Sequence, residues 1–212
     1  MKQKIADVAL ARLSLYSRYL KMMMVNGKSR VLSEDIAQYY NFDAAQVRKD
    51  LSYLGKLGTR GYGYNCQNLY DCIVAQLGRE VSIDVVVVGV GKLGTALIGY
   101  RSFRELGFNI VAGFDNNVDK IKTQVNNVIV HHSDTLKTYI AENNIGMAVI
   151  TVPDRSAREV ARVLFDTKIG GIINFAPVYL ASTKTCFVRN IDLSVEFEVL
   201  RYNQLKSREK KG

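Results

Sequence analysis

The chain has 212 residues, 48% of them hydrophobic and 23% charged, and a formal net charge of +9. That composition is ordinary for a folded soluble protein and excludes a disordered or collagen-like chain; the length allows one or two domains. No apolar run approaches the roughly 18 residues of a spanning helix and no signal peptide opens the chain, while the surplus of positive charge suits a polyanionic partner without requiring one.

Ile5, Val8, Ala9, Leu13, Tyr16, Leu20 and Met23 recur at helical spacing and predict one long amphipathic helix, ended by Asn26-Gly27. Arg30-Val31-Leu32 reads as a short extended piece. Ser33 is the expected N-cap of a short helix to about Tyr40, with Glu34 and Asp35 in its first turn. Asn41-Phe42 turns, Asp43 caps, and a third helix is expected from Ala44 to about Leu57, stopped by Gly58.

Helix, short helix, tight turn and helix is the helix-turn-helix order, here over residues 16–55 or so. In the third helix Val47, Leu51 and Leu54 make a packing side. Gln46, Lys49 and Tyr53 fall opposite, with Arg48 and Ser52 nearby, as a side that can enter a major groove. Gly58-Thr59-Arg60-Gly61-Tyr62-Gly63-Tyr64-Asn65 reads as a tight hairpin, a wing with Arg60 at its tip within reach of phosphate or minor groove. A solvated amphipathic helix beside a surface hairpin is the bland alternative. The order of the upstream helices weighs against it.

Asn68 is the expected cap of a helix through Leu77, and Gly78-Arg79-Glu80 marks a boundary. Strands then alternate with helices. Strands are expected at 84–88, 108–114 and 128–130, at 147–152 and 171–175, and at 186–188. Helices are expected at 94–106, at 133–143 with Ser133 as cap, and at 156–166. Such alternation predicts an α/β, doubly wound parallel sheet. A last amphipathic segment, 193–205, ends in a charged tail.

Val85-Val86-Val87-Val88 runs directly into Gly89-Val90-Gly91-Lys92-Leu93-Gly94. A β-branched run reads as a strand buried on both faces, and G-x-G-x-x-G between strand and helix is the dinucleotide fingerprint. Asp115 follows at the expected distance, at the end of the next strand, where a carboxylate accepts from ribose hydroxyls and repels a 2′-phosphate. That favours NAD(H), and the alternative is a cap for the turn at Asn116-Asn117. Lys92 can face phosphate or solvent. Thr151-Val152-Pro153 and Asn174-Phe175-Ala176-Pro177 each close a strand at the edge where such sheets bind ligands. Ordinary loop punctuation by proline is the competing reading.

The residues around the fingerprint do not suggest catalysis. Hydride transfer needs a proton donor or acceptor near the nicotinamide. The only histidines, His131 and His132, follow the short third strand and read as surface residues. No metal-ligating cluster is evident. Cys66, Cys72 and Cys186 make no disulfide framework, which points to a reducing, cytoplasmic compartment. Three functions compete: a nucleotide-sensing DNA-binding repressor, an NAD-dependent oxidoreductase with an accessory domain, and an NAD-binding regulatory subunit whose N-terminal helices dock on a protein.

The two halves together resemble Rex, the redox-sensing transcriptional repressor family. The resemblance rests on Ala11-Arg12-Leu13 with Tyr16, on the run 46–53 and on the wing 58–64. It continues through the fingerprint 89–94, Thr151-Val152-Pro153, Ile173-Asn174-Phe175-Ala176-Pro177 and Asn190-Ile191-Asp192. It implies a non-enzymatic repressor that senses NADH and NAD+ as ligands, binds a pseudo-palindromic operator when NADH is low, and is released by NADH. An apolar pocket under Phe175 and Pro177 would then penalise the cationic ring of NAD+. The resemblance also implies a homodimer, without membrane association, whose C-terminal helix is swapped between copies. Arg12, Tyr100 and Asp192 match the family's alternating switch contacts. The expected layout is a winged-helix domain over 1–80, a Rossmann NAD(H) domain over 81–190, and the swapped helix and basic tail over 191–212.

Overall fold

The computed structural model describes residues 5–59 and 61–209, so Arg60, expected at the wing tip, lies outside the described residues. The chain divides into two compact units between Val81 and Ser82.

The first unit runs α1 (Asp7–Val25), β1 (Arg30–Val31), α2 (Ser33–Tyr40), α3 (Ala44–Ser52), β2 (Gly58–Thr59), β3 (Gly63–Asn65) and α4 (Cys66–Gln76). Leu13, Tyr16 and Leu20 of α1, Ile36 of α2, Val47 and Leu51 of α3, and Leu69 and Ile73 of α4 close one core. Val8, which helical spacing placed on the apolar face of α1, is exposed. The wing forms as expected, and β1 joins it: the antiparallel order is β1-β3-β2, with Arg30 opposite Asn65 and Gly58 opposite Tyr64.

The helix ends depart from expectation for local reasons. At α2 the N-cap position is Leu32, whose N–H donates to the Asp35 carboxylate at 2.7 Å, while Ser33 is already helical. Asp43 caps α3 as expected, accepting from the Ala45 N–H. That helix stops at Ser52, well short of Leu57, because its last N–H groups switch to partners three residues back: Tyr53 to Asp50, Leu54 to Leu51, Gly55 to Ser52. Asn65 rather than Asn68 caps α4; its side chain accepts from the Asn68 N–H.

The second unit runs β4 (Ile83–Val88), α5 (Lys92–Ile98), α6 (Ser102–Glu105), β5 (Phe108–Asp115), β6 (Gln124–Val125), β7 (Val128–His132), α7 (Leu136–Glu142), β8 (Met147–Ile150), α8 (Asp154–Phe165), β9 (Gly171–Asn174), β10 (Phe187–Asn190) and α9 (Leu193–Glu209). The seven-stranded sheet has the order β10-β9-β8-β4-β5-β7-β6 and is parallel except for β6. From β4 the chain winds out through β5 and β7, then returns to the other side of β4 for β8. This is the Rossmann-type doubly wound topology, and its switch point lies between β4 and β8.

The four valines are buried on alternate faces, as the run predicts. Val86 and Val88 pack with α7 and α8 through Leu136, Ile140, Ala157, Ala161 and Leu164. Val85 and Val87 pack on the opposite layer with Val90, Ile98 and Val130. Three expectations fail. The single helix 94–106 is two, because at Gly99 the ladder changes to three-residue steps, Tyr100 N–H to Leu97 and Phe103 N–H to Tyr100. The short strand 128–130 extends to His132 and is paired with β6 through a two-residue turn, Asn126-Asn127, both left-handed at φ 47° and 67°. His132, not Ser133, starts the next turn, its Nδ1 accepting from the Asp134 N–H at 3.3 Å.

Candidate nucleotide cleft and DNA-reading face

A cleft of about 980 Å³ opens beside the C-terminal ends of β4, β5 and β8. Of the residues expected there, Gly89, Gly91, Asp115, Thr151, Val152 and Pro153 line it. Asn116, Asn117, Lys120, Ser133, Asp134, Lys137, Ser156 and Glu159 line it as well, and no sequence motif marks these as ligand groups.

The glycine loop is built from close contacts. Gly89 has φ +99°, a left-handed conformation that favours glycine. A Cβ on Gly94 would run into the Gly89 carbonyl oxygen, so α5 packs against the loop only because that carbon is missing. A Cβ on Gly91 would meet nothing within 4 Å, leaving open space along the cleft. Thr151 braces this arrangement: its hydroxyl donates to the Gly89 carbonyl at 2.6 Å. Val90 is buried in the core, Gly94 is buried behind the loop, and Lys92 and Leu93 are exposed.

Asp115 sits at the end of β5 with its side chain nearly buried. Its Oδ2 accepts from the Val90 N–H and from Lys120 Nζ, both at 2.9 Å, and its Oδ1 accepts from the Asn117 N–H at 2.9 Å. Burial pushes this carboxyl up, but the Asn117 and Val90 N–H groups and the Lys120 ammonium outweigh it and hold the group below its ordinary value. Asp115 thus ties the glycine loop to the following turn. Lys120, five positions on and after two asparagines, carried no motif that would have marked it.

The Asn174-Phe175-Ala176-Pro177 turn is knit inward. Asn174 is buried, donating to the Val178 carbonyl at 2.7 Å and to Asn190 Oδ1 at 2.9 Å, and accepting from the Ala176 N–H. Its amide holds β9, β10 and their loop together, and Asn174 does not line the cleft. Ala176 is buried, Phe175 packs half-buried against the Val85–Val87 layer, and Pro177 is exposed. His131, expected on the surface, is half-buried in β7, with its ring 5.5 Å from Phe114.

On the first unit, α3 turns Arg48, Lys49 and Ser52 outward. Arg48 is paired with Glu34 of α2 at 2.8 Å. Tyr53 is half-buried. Gln46 departs from expectation: its amide donates to Asp50 Oδ1 at 2.9 Å instead of standing free on the reading side. Asp50, fully buried in the last turn of α3, also accepts from Arg12 Nε at 2.6 Å, Arg12 Nη2 at 2.8 Å and the Tyr16 hydroxyl at 2.9 Å. Burial raises the Asp50 carboxyl, and the donors from Arg12, Tyr16 and Gln46 bring it below its ordinary value. The same burial and the same carboxylate push the Tyr16 hydroxyl strongly upward. No motif marks Asp50 as the hub of these contacts, although its spacing from Val47 and Leu54 already places a carboxylate on the packing side.

The other two residues of the expected switch have partners of their own. Tyr100, exposed at the break between α5 and α6, meets Phe103 edge-on at 5.0 Å. Asp192 caps α9, accepting from the N–H and hydroxyl of Ser194 at 2.9 and 2.7 Å.

Comparison with known proteins accounts for both units. The family described as CoA binding domain matches residues 80–178, and that described as "Putative DNA-binding protein N-terminus" matches residues 4–52. The redox-sensing transcriptional repressor Rex of Carboxydothermus hydrogenoformans is 45% identical over 200 residues, spanning 94% of this chain and 96% of the relative. The chain belongs to the Rex family. The Rex of Desulforamulus reducens is 40% identical over 200 residues, at 94% and 95% coverage. Among solved Rex-family structures, RSP in complex with β-NAD+ and operator DNA superposes with a TM-score of 0.91 at 30% identity, over 99% of this chain and 97% of that one. RSP in complex with β-NADH gives 0.89 at 28% identity, over 99% of both chains. The Rex relatives carry the name of a transcriptional regulator, not of an enzyme. Among the described residues no helix is long and apolar enough to cross a membrane.

Proposed function

We propose that this chain is a cytoplasmic repressor that reads the NADH/NAD+ ratio, holding operator DNA when NADH is scarce and leaving it when NADH fills the cleft. The observation that carries this reading is the near-complete superposition on a Rex-family repressor solved with both NAD+ and operator DNA. The residues present fit a dinucleotide: a glycine loop too tight for side chains on one side and open at Gly91, with Asp115 at the far end. Loop 89–94 would take the pyrophosphate, Asp115 the adenosine ribose, and Thr151, Val152 and Pro153 the wall of the cleft, with Phe175 and Pro177 towards the nicotinamide. Both nucleotides are sensed ligands, and no residue of the chain is assigned a catalytic role.

The domain limits follow the same reading: a winged helix over 1–80, the nucleotide domain over 81–190, and a swapped helix with basic tail over 191–212. Leu193, Phe197, Leu200 and Leu205 of α9 are all exposed, and this apolar face supports a homodimer in which α9 covers the second copy. Arg12, Tyr100 and Asp192 serve as the switch, Arg12 by leaving or keeping Asp50. A dimer of winged helices suits a pseudo-palindromic operator. The direct test is a mobility-shift titration of the operator complex with each nucleotide. NADH is expected to release the DNA well below the NAD+ concentration that does so, and equal release at equal occupancy would sink redox sensing.

Arg48, Lys49, Ser52, Tyr53 and the wing residue Arg60 form the proposed DNA face, with Gln46 held behind it by Asp50. Lys49 is exposed, and its substitution by Ala is expected to weaken all DNA alike and to lower the slope of log affinity against log salt by about 1. Arg48→Ala is expected to cost roughly 1–3 kcal/mol on the operator and to relax its sequence preference. Operator affinities left untouched by both changes would mean that α3 is not the reader.

A further inference from the structure

A bare carboxylate at the position of Asp115 refuses a 2′-phosphate by repulsion. Here the carboxylate is not bare. Lys120 Nζ lies 2.9 Å from Asp115 Oδ2, and both residues line the cleft. The turn that carries Lys120 is tied down on both sides. Its N–H donates to the Asn117 carbonyl at 3.0 Å, and its own carbonyl accepts from the Thr123 hydroxyl at 2.6 Å. Asp115 is fixed as firmly, by the Val90 and Asn117 N–H groups. The backbones at both ends are therefore fixed, and the Lys120 ammonium, on its flexible stem, rests against the carboxylate so that the two cancel as formal charges. The Lys120 side chain is 37% exposed and borders the cleft.

We propose that Lys120 is the specificity-determining residue at the adenosine end of the cleft. By neutralising Asp115 it sets how strongly a 2′-phosphate is refused, and so how far NADPH falls behind NADH. This rests on the dinucleotide reading above. Lysine suits the role because a flexible ammonium can stay on the carboxylate or turn to a phosphate oxygen, while its three donors remain usable in either place.

The test is a titration of the full-length protein with NADH and with NADPH, followed by nicotinamide fluorescence. Lys120→Met keeps the apolar stem and removes the charge. It is expected to weaken NADPH about tenfold more than NADH, because the Asp115 charge then faces the phosphate alone. Asp115→Asn works in the opposite direction, leaving the ammonium without its carboxylate, and is expected to narrow the gap between the nucleotides by about tenfold. If wild-type NADPH binding lies below detection, Lys120→Met made on top of Asp115→Asn keeps the test decisive: it is expected to weaken NADPH about tenfold more than NADH, and an unchanged ratio there overturns the assignment. A ratio of affinities unchanged in both variants overturns the assignment. So does an equal loss for both nucleotides in Lys120→Met, which would mean a merely structural turn. Failure of the wild type to bind NADH overturns the dinucleotide reading itself, and with it this proposal.

Discussion

Asp50→Ala is expected to cost the N-terminal unit about 3–5 kcal/mol of folding stability, the loss that follows when one partner of a buried ion pair is removed. The carboxylate receives Arg12 through two N–H groups, the Tyr16 hydroxyl and the Gln46 amide. Truncation leaves a tyrosine hydroxyl at the centre of the core without its acceptor and a guanidinium without its counter-charge. Small domains have about 5–15 kcal/mol in all, so urea unfolding should register the change as a large drop in midpoint. A loss under about 1 kcal/mol would show that this cluster does not hold the fold. Arg12→Ala made on top of Asp50→Ala should cost much less than Arg12→Ala alone, since the two share one interaction.

The same cluster has a pH signature. The folded carboxyl of Asp50 lies below its unfolded value, and so does that of Asp115. Their contribution is therefore complete above the unfolded carboxylate pKa of about 4 and drains away as pH falls through the folded values. Denaturation midpoints should be level from neutral pH down to about 5 and fall below that. Asp50→Asn, which cannot titrate, should flatten part of the acid limb.

Gly94→Ala is expected to abolish nucleotide sensing while leaving operator binding in place. Its Cβ would strike the Gly89 carbonyl oxygen, and the Thr151 hydroxyl lies beside it at 3.0 Å. These are backbone and a braced side chain, so neither yields cheaply, and the loop between β4 and α5 has to open. NADH affinity should fall about a hundredfold or more, ~2.7 kcal/mol. In the mobility shift the variant would stay on DNA at NADH concentrations that release the wild type. Retained release at wild-type NADH concentrations would remove the glycine loop from the sensing site.

Much of this arrangement is legible in the sequence, because it rests on short-range chemistry. Four valines before a glycine motif specify a two-sided strand and the turn after it, and both are found. Val47 and Leu51 mark the packing side of α3 through helical spacing alone, and the alternating glycines of 58–63 mark the wing. What escapes the sequence is mostly partnership across distance. Arg12 and Asp50 come from different helices, and no local rule joins them. Asn174 sits at a strand end where a ligand contact is expected, yet its amide is taken by Asn190 from the neighbouring strand. Helix ends fail differently: Gly99 breaks a helix that apolar spacing carries straight through, since periodicity registers faces and not hydrogen bonds. One miss had a usable signal. Val125-Asn126-Asn127-Val128 has the two-residue asparagine turn of a hairpin, and it is what gives the sheet its antiparallel edge.

Helix α9 keeps Phe197 73% exposed and Leu193 and Leu200 60% exposed, outside the core that its own chain builds. For a chain of this kind, mass action enters folding. Whatever covers that face contributes free energy only in proportion to the logarithm of how much of it is present. If the cover is a second copy, diluting the protein weakens it and crowding more copies together strengthens it, with no residue changed. The abundance of the protein in a cell then becomes one of the terms that hold it folded.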